Sequence, residues 1–325
     1  MTRTLARKLA TIRDGAYRPQ DFIIADAKDG DMAFGCAAPG AADDGRMRPM
    51  QVYRDDMVKV TQSGLVDIML MSLSSAEALA GENVFDGSPV TPAVRLNDTT
   101  DIWHVRGGSY PKRMMRNFRT ARLDRVKPVA PLGLYSVTFY NDLDRDHATL
   151  EAFAAFRNEA SAAGVDYFLE VFNPQIPVSV ESDFAFYNND MIARCLAGVA
   201  GRERPVFLKA AYNGPAATEE IASYDPTNLI FGILGGGAGT TRDCLELVRQ
   251  AEKYGARVAL FGRKIYRAED SVMMVRAMRR VIEEQLTSVE AVKAYHGDLQ
   301  SAGITPFRAL EDDLALTEVI LRENV

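Results

Sequence analysis

Along the chain, short apolar runs of β-forming type alternate with helix-length amphipathic stretches, and each run ends in polar or glycine residues. This alternation predicts parallel β/α units, since strands covered on both faces read as continuous apolar segments while their connecting helices keep one polar face. Eight runs fit the pattern: "DFIIAD" from 21, "LVDIMLM" from 65, "VTPAVRL" from 90, "LYSVTFY" from 134, "VDYFLEVF" from 165, "PVFLKAAY" from 205, "LIFGIL" from 229 and "RVALFG" from 257. Between the last two, "DCLELVRQAEKYG" sets Cys244, Leu247, Val248 and Ala251 on one helical face and supplies Gly255 as a stop. Eight such units close into a single-domain (β/α)8 TIM barrel spanning the 325 residues. An open doubly wound sheet is the alternative, but its first strand should lead into a glycine-rich dinucleotide turn, and "IIADAKDG" has none.

Three stretches fall outside the repeating unit. "GCAAPGAADDGRMRP", after the first strand, reads as a loop. Residues 104–128 form an arginine-rich insertion with eight Lys or Arg against one acid, Asp124, and residues 285–325 predict a C-terminal helical extension. On a helix, Arg113, Arg116, Arg119, Arg122 and Arg125 would each fall about 60° short of a full turn from the last, spiralling around the axis. A solvated helix is the expectation for this segment, rather than a nucleic-acid-binding arm. The basic start "MTRTLARKLATIRDG" reads as a short amphipathic helix, not a transit peptide.

Composition narrows the classes. A net charge of −6, from 38 basic and 44 acidic side chains, offers no general attraction to nucleic acid or anionic membrane, so any anion must be caught locally. No apolar run is long enough to span a bilayer. Three cysteines without C-x-x-C spacing signal neither a disulfide framework nor a zinc site, and a cytoplasmic location fits best. His104, His147 and His296 show no metal-ligand spacing, and no serine-hydrolase elbow or Walker loop is present. No diagnostic oligomer interface stands out, which leaves a homo-oligomer open.

In such barrels the carboxyl ends of the strands carry the chemistry. The sixth run ends at Lys209, held among Val206, Phe207, Leu208 and Ala210. An ordinary lysine is about 2,500 to 1 protonated at neutral pH, a handicap of roughly 4.6 kcal/mol for a reaction that needs the free amine. An apolar setting or a neighbouring cation shifts that balance, as a Schiff-base lysine requires. A lysine reaching solvent from a strand tip, or one paired with a carboxylate, explains the same residue without chemistry. Glu170, among Tyr167, Phe168, Leu169 and Val171, is either a buried ion-pair partner or a proton shuttle. The first run ends at Asp26 with Lys28 two residues on, so alternation sends both to one side, where Asp26 either tunes Lys209 or pairs with Lys28. After the seventh run, "GGGAGTTRD" offers free backbone N–H groups and a capping box from Thr240 to Asp243, and the eighth is followed by Gly262 and Arg263. Together these two turns suit a phosphate.

These markers resemble the tagatose-bisphosphate aldolase family, the Schiff-base (class I) aldolases that also include sulfofructose-phosphate aldolase. The likeness runs over most of residues 20–268. It rests on "RLNDTTDIW" from 95, "FYNDLD" from 139, "YFLEVF" from 167, "FLKAAY" from 207, and "ILGGGAGTTRDCLELVRQAEKYGARVALFGRKIY" from 233. The resemblance implies Lys209 as the Schiff-base lysine, Glu170 as acid/base and Asp26 as the strand-one aspartate. Phosphate and substrate contacts would fall to Gly236, Gly237, Gly262, Arg263, Lys28 and Arg95. This chain departs from the family pattern in having Ser136 where a strand-four lysine is expected, and Lys28 for the strand-one arginine. The implied activity is a metal- and cofactor-independent class I aldolase acting on a phosphorylated ketose or related phosphorylated carbonyl compound. Two rival readings are a non-catalytic sugar-phosphate-binding barrel and a phosphosugar isomerase or epimerase.

Overall fold

A computed structural model describes residues 3–235 and 239–324. Eight parallel strands form a closed barrel: β1 Ile23–Lys28, β2 Ile68–Met71, β3 Thr91–Arg95, β4 Leu132–Thr138, β5 Asp166–Phe172, β6 Leu208–Ala210, β7 Phe231–Leu234 and β8 Val258–Phe261, each paired with its sequence neighbours and β8 with β1. The eight sequence runs thus become the eight staves. Helices Met50–Ser63, Leu73–Gly81, Leu143–Ala163, Phe184–Leu196, Pro215–Tyr224, Thr241–Lys253 and Ser271–Glu283 return the chain along the outside.

Side-chain alternation divides the core into two shells. Ile23, Ala25, Ile68, Leu70, Ala93, Leu132, Leu134, Phe168, Phe207, Val258 and Leu260 fill the barrel interior. Their neighbours Ile24, Met69, Val94, Leu169, Leu208, Ile233 and Phe261 pack outward against the helices. The N-terminal helix Thr4–Arg13 belongs to the inner shell, with Leu5, Leu9 and Ile12 at helical spacing sealing the floor of the barrel. Lys8 on the same helix donates to the Phe22 carbonyl at 2.8 Å and to Asp67 Oδ2 at 2.9 Å, and Arg279 reaches Asp67 Oδ2 at 2.7 Å.

The insertion departs from expectation. Residues 104–128 hold no helix through the arginine series, only a turn at Tyr110–Lys112, a two-residue strand Asn117–Phe118 paired antiparallel with Asp98–Thr99, and one helical turn at Leu123–Val126. A three-residue period offers a helix no apolar stripe, and local pairs take its place: Arg119 with Glu159 and Arg122 with Asp124. At the other end, residues 285–325 contribute the helix Ser288–Ser301, a turn at Leu310–Asp313 and a strap that lies over the start of the helix Thr241–Lys253. There Thr317 donates its hydroxyl and its N–H to Asp243, Arg242 donates to the Leu314 carbonyl at 2.9 Å, and Asp313 accepts from the Thr241 N–H at 2.7 Å.

Candidate active site

Strand register brings the chemistry into one row. Ser136 on β4 lies opposite Glu170 on β5, Glu170 opposite Lys209 on β6, and Lys209 opposite Gly232 on β7. The first three side chains share the parity of Phe168 and Phe207 and so project into the barrel. Gly232 leaves the row blank because a Cβ there would stand 2.6 Å from the Val258 Cβ. Lys209 is 5% exposed and Glu170 1%, and the Lys209 ammonium touches Glu170 Oε1.

Around this pair sits a fully buried guanidinium. Arg95, at the end of β3, contacts Asp29 through Nε, donates from Nη1 to the Ser136 hydroxyl at 2.7 Å and from Nη2 to Glu170 Oε2 at 3.0 Å. Ser136 in turn donates to Glu170 Oε2 at 2.7 Å. Burial alone would push the Glu170 carboxyl up, but Lys209 and Arg95 beside it outweigh that and hold it below the usual carboxylate range. The same carboxylates outweigh burial at Arg95 and raise its pKa further. Ser136 thus carries a hydrogen bond rather than a charge, and the cation beside it comes from the neighbouring strand.

Lys209, Glu170 and Arg95 line a cavity of about 280 Å³ at the carboxyl ends of the strands, together with Asp29, Asp101, His104, Phe172, Gln175, Gly235, Gly262, Arg263, Lys264 and Arg267. Gly262 is fixed by space, since a Cβ there would collide with the Ala27 carbonyl oxygen. Burial, then Arg267, lowers the Arg263 pKa, and burial lowers that of Lys264, whose ammonium contacts the Gly239 carbonyl. Thr240 caps the helix that follows, with Asp243 completing the capping box. Gly236 and Gly237 lie outside the described residues. Among the described residues no group of three His, Cys, Asp or Glu side chains is arranged to hold a metal ion, and no helix is long and apolar enough to cross a membrane.

Two sequence assignments are corrected. Asp26 and Lys28 share one side of β1, as alternation requires, but it is the outer side: both are fully buried between β1 and the helices, away from the cavity. Lys28 Nζ lies 3.0 Å from Asp26 and 2.9 Å from Asp56 on the helix Met50–Ser63, with the Tyr266 ring 5.0 Å away. Of the two readings of Asp26, pairing with Lys28 is the one seen. Burial lifts the Asp26 carboxyl to about 6, with Lys28 offsetting part of the effect. The carboxylate that β1 does turn inward is Asp29, one residue past Lys28. Small Ala25 and Ala27 on the crowded inner face were the available signal for that parity. Arg95 also differs from expectation, being committed to Asp29, Ser136 and Glu170 rather than waiting for an anion.

Fold and site together define a (β/α)8 barrel with a buried lysine–glutamate pair at its mouth. No protein-family model matches the chain. It is 24% identical over 243 residues to an uncharacterized aldolase of Saccharolobus solfataricus, across 73% of this chain and 84% of that one. Among solved structures it resembles an archaeal fructose 1,6-bisphosphate aldolase (TM-score 0.61, 16% identity, 86% of this chain and 98% of that one). A similar likeness holds to an archaeal fructose-1,6-bisphosphate aldolase whose catalytic Lys is covalently bound to the carbinolamine intermediate of the substrate (TM-score 0.61, 16% identity, 86% and 99% covered). The fructose-bisphosphate aldolase from Slackia heliotrinireducens aligns with a TM-score of 0.63 at 12% identity, over 91% and 90% of the two chains. At these identities the structural likeness establishes the barrel fold.

Proposed function

We propose that the protein is a Schiff-base aldolase that cleaves or forms a carbon–carbon bond in a phosphorylated ketose or related phosphorylated carbonyl compound. The observation that carries this reading is the Lys209–Glu170 contact, inside a barrel mouth that also presents Gly262 and Arg263, two strands on from Lys209. Named relatives of aldolase type support it. The finer kinship, with tagatose-bisphosphate and sulfofructose-phosphate aldolases, rests on the motifs around Glu170, Lys209 and Gly262–Arg263.

Glu170 would take a proton from the Lys209 ammonium, freeing the amine to attack the substrate carbonyl. Returned to the departing hydroxyl, that proton leaves as water, and the nitrogen is left as an iminium; Glu170 is again a carboxylate. It then takes the proton of the hydroxyl beyond the scissile bond. As that bond breaks, its electron pair moves to the iminium to give an enamine, and an aldehyde departs. Glu170 protonates the enamine carbon, and water hydrolyses the resulting iminium, releasing the ketone and restoring the lysine. Arg95 and Ser136 hold Glu170 Oε2, leaving Oε1 to face the amine. A phosphate would sit at the β7 and β8 turns, with Arg263 as its countercharge and backbone N–H groups as donors.

Borohydride reduction with dihydroxyacetone phosphate, followed by peptide mass mapping, tests the reading. A reduced adduct on Lys209 is the expected result. Ligand binding without any adduct would instead favour a non-catalytic barrel, and proton exchange without fragment release an isomerase.

A further inference from the structure

The cavity is lopsided in charge. On the β8 side it presents Arg263, Lys264 and Arg267, none of which has a carboxylate partner among the described residues. Across the mouth, against the ends of β3 and β4, three and four strands away, the wall carries Asp101, which is 1% exposed. Its Oδ2 accepts from the Thr138 hydroxyl at 2.7 Å and from the Tyr140 hydroxyl at 3.4 Å. Its Oδ1 has no hydrogen-bond partner among the described residues, and no Lys or Arg pairs with the carboxylate. Arg95, the nearest cationic residue on that strand, is already held by Asp29 and Glu170. A buried acceptor is rarely left empty, and on a residue that borders the cavity the donor can come from a ligand pressed against it.

We propose that Asp101 is a specificity-determining residue that accepts a hydrogen bond from a hydroxyl on the part of the substrate remote from its phosphate. This deepens the aldolase reading and rests on it. A ligand spanning from the β8 turn past Lys209 to Asp101 carries its phosphate at the first end and neutral hydroxyls at the second. A second phosphate there would face the Asp101 carboxylate with no free cation to meet it. The substrate class is therefore a ketose monophosphate, cleaved to a phosphorylated ketone and an uncharged hydroxyaldehyde.

Three probes separate the two ideas: dihydroxyacetone phosphate, which reaches only Lys209 and the phosphate turn, fructose 1-phosphate, and fructose 1,6-bisphosphate. The readout is the concentration that half-saturates borohydride labelling of Lys209 in the full chain. Fructose 1-phosphate is expected to label at a concentration about tenfold below the bisphosphate. Asp101→Asn, which keeps the shape and the Thr138 contact, should abolish that preference. Asp101→Leu should weaken fructose 1-phosphate about tenfold or more, with the effect falling on this probe rather than on dihydroxyacetone phosphate. Equal labelling of wild type by mono- and bisphosphate, or a preference that survives both substitutions, overturns the role of Asp101 and leaves the aldolase reading standing. Absence of any Lys209 adduct in wild type overturns both. Thermal unfolding of each variant guards against misfolding, because loss of dihydroxyacetone phosphate labelling in a folded variant likewise contradicts a role confined to the remote end.

Discussion

In the proposed mechanism Lys209 works only if its proton has somewhere to go and the pair stays largely withdrawn from solvent. Glu170 in contact with the amine answers the first need and the burial of both side chains the second, and each has a measurable consequence. Lys209→Met is expected to abolish turnover and borohydride labelling while phosphate binding persists, measured by steady-state kinetics and competition with inorganic phosphate. Arg263→Ala is expected to do the opposite, raising KM by about ten- to a hundredfold with a smaller effect on kcat. Full activity in both variants would mean that the site lies elsewhere. Arg95 is a positioning residue in this scheme. Arg95→Ala leaves Asp29 without its cation and Glu170 with Lys209 alone, so a stability loss of about 3–5 kcal/mol is expected from denaturant titration. It should also raise the apparent pKa on the acid limb of kcat/KM, because Glu170 loses one of the two cations that hold its carboxyl down. The depressed folded-state pKa of Glu170 contributes stability above the ordinary glutamate range, and that contribution is lost as pH falls through the folded value.

At the scale of elements, β1 and the helix after β7 are pinned by polar contacts that the sequence only half discloses. Strand β1 is stapled outward: Lys28 joins Asp26 to Asp56, and Asp56 accepts from the Ser271 hydroxyl at 2.6 Å, linking strand and two helices. Because the Asp26 carboxyl is raised to about 6, its titration has the reverse sign to that of Glu170. Its contribution favours the folded state at low pH and is lost as pH rises from the ordinary aspartate range through 6. The difference in melting temperature between wild type and Asp26→Asn should therefore change across that window and be flat above it; a difference independent of pH would contradict the assignment. At the other element, Asp243 ties the cap of the helix Thr241–Lys253 to the C-terminal strap. Asp243→Ala is expected to cost about 1–2 kcal/mol and to free the strap for limited proteolysis near Thr317.

The same two elements mark what was readable. The capping box was plain in "TTRD" because its residues are local, and the barrel was plain because hydrophobic alternation is repeated eight times. Lys209 stood out as the lone charge in its apolar run, and Glu170 as the one charge within "YFLEVF". The facing of β1 was legible only faintly, through the small Ala25 and Ala27, because polar residues at 26, 28 and 29 occupy both parities, and Asp56, which settles the matter, is 28 residues away from Lys28 in sequence. The arginine series misled for a different reason: a regular spacing of charge says nothing of helix when no apolar stripe accompanies it.

Over the whole molecule, the barrel is closed below and open above. The N-terminal helix stops the floor with Leu5, Leu9 and Ile12, so damage there should be felt as stability rather than chemistry. Leu9→Ala is expected to lower unfolding free energy by about 2–5 kcal/mol with KM unchanged, a result that separates the scaffold from the site.

The row formed by Ser136, Glu170, Lys209 and Gly232 is uneven, with a carboxylate on one flank of the lysine and a bare backbone on the other. A planar intermediate grown on that nitrogen would find its proton donor on the β5 flank alone, so its two faces would not be equivalent. In deuterium oxide, the ketone should exchange one of its two prochiral hydrogens and keep the other. The handedness of that label would be written by the absence of a side chain on β7.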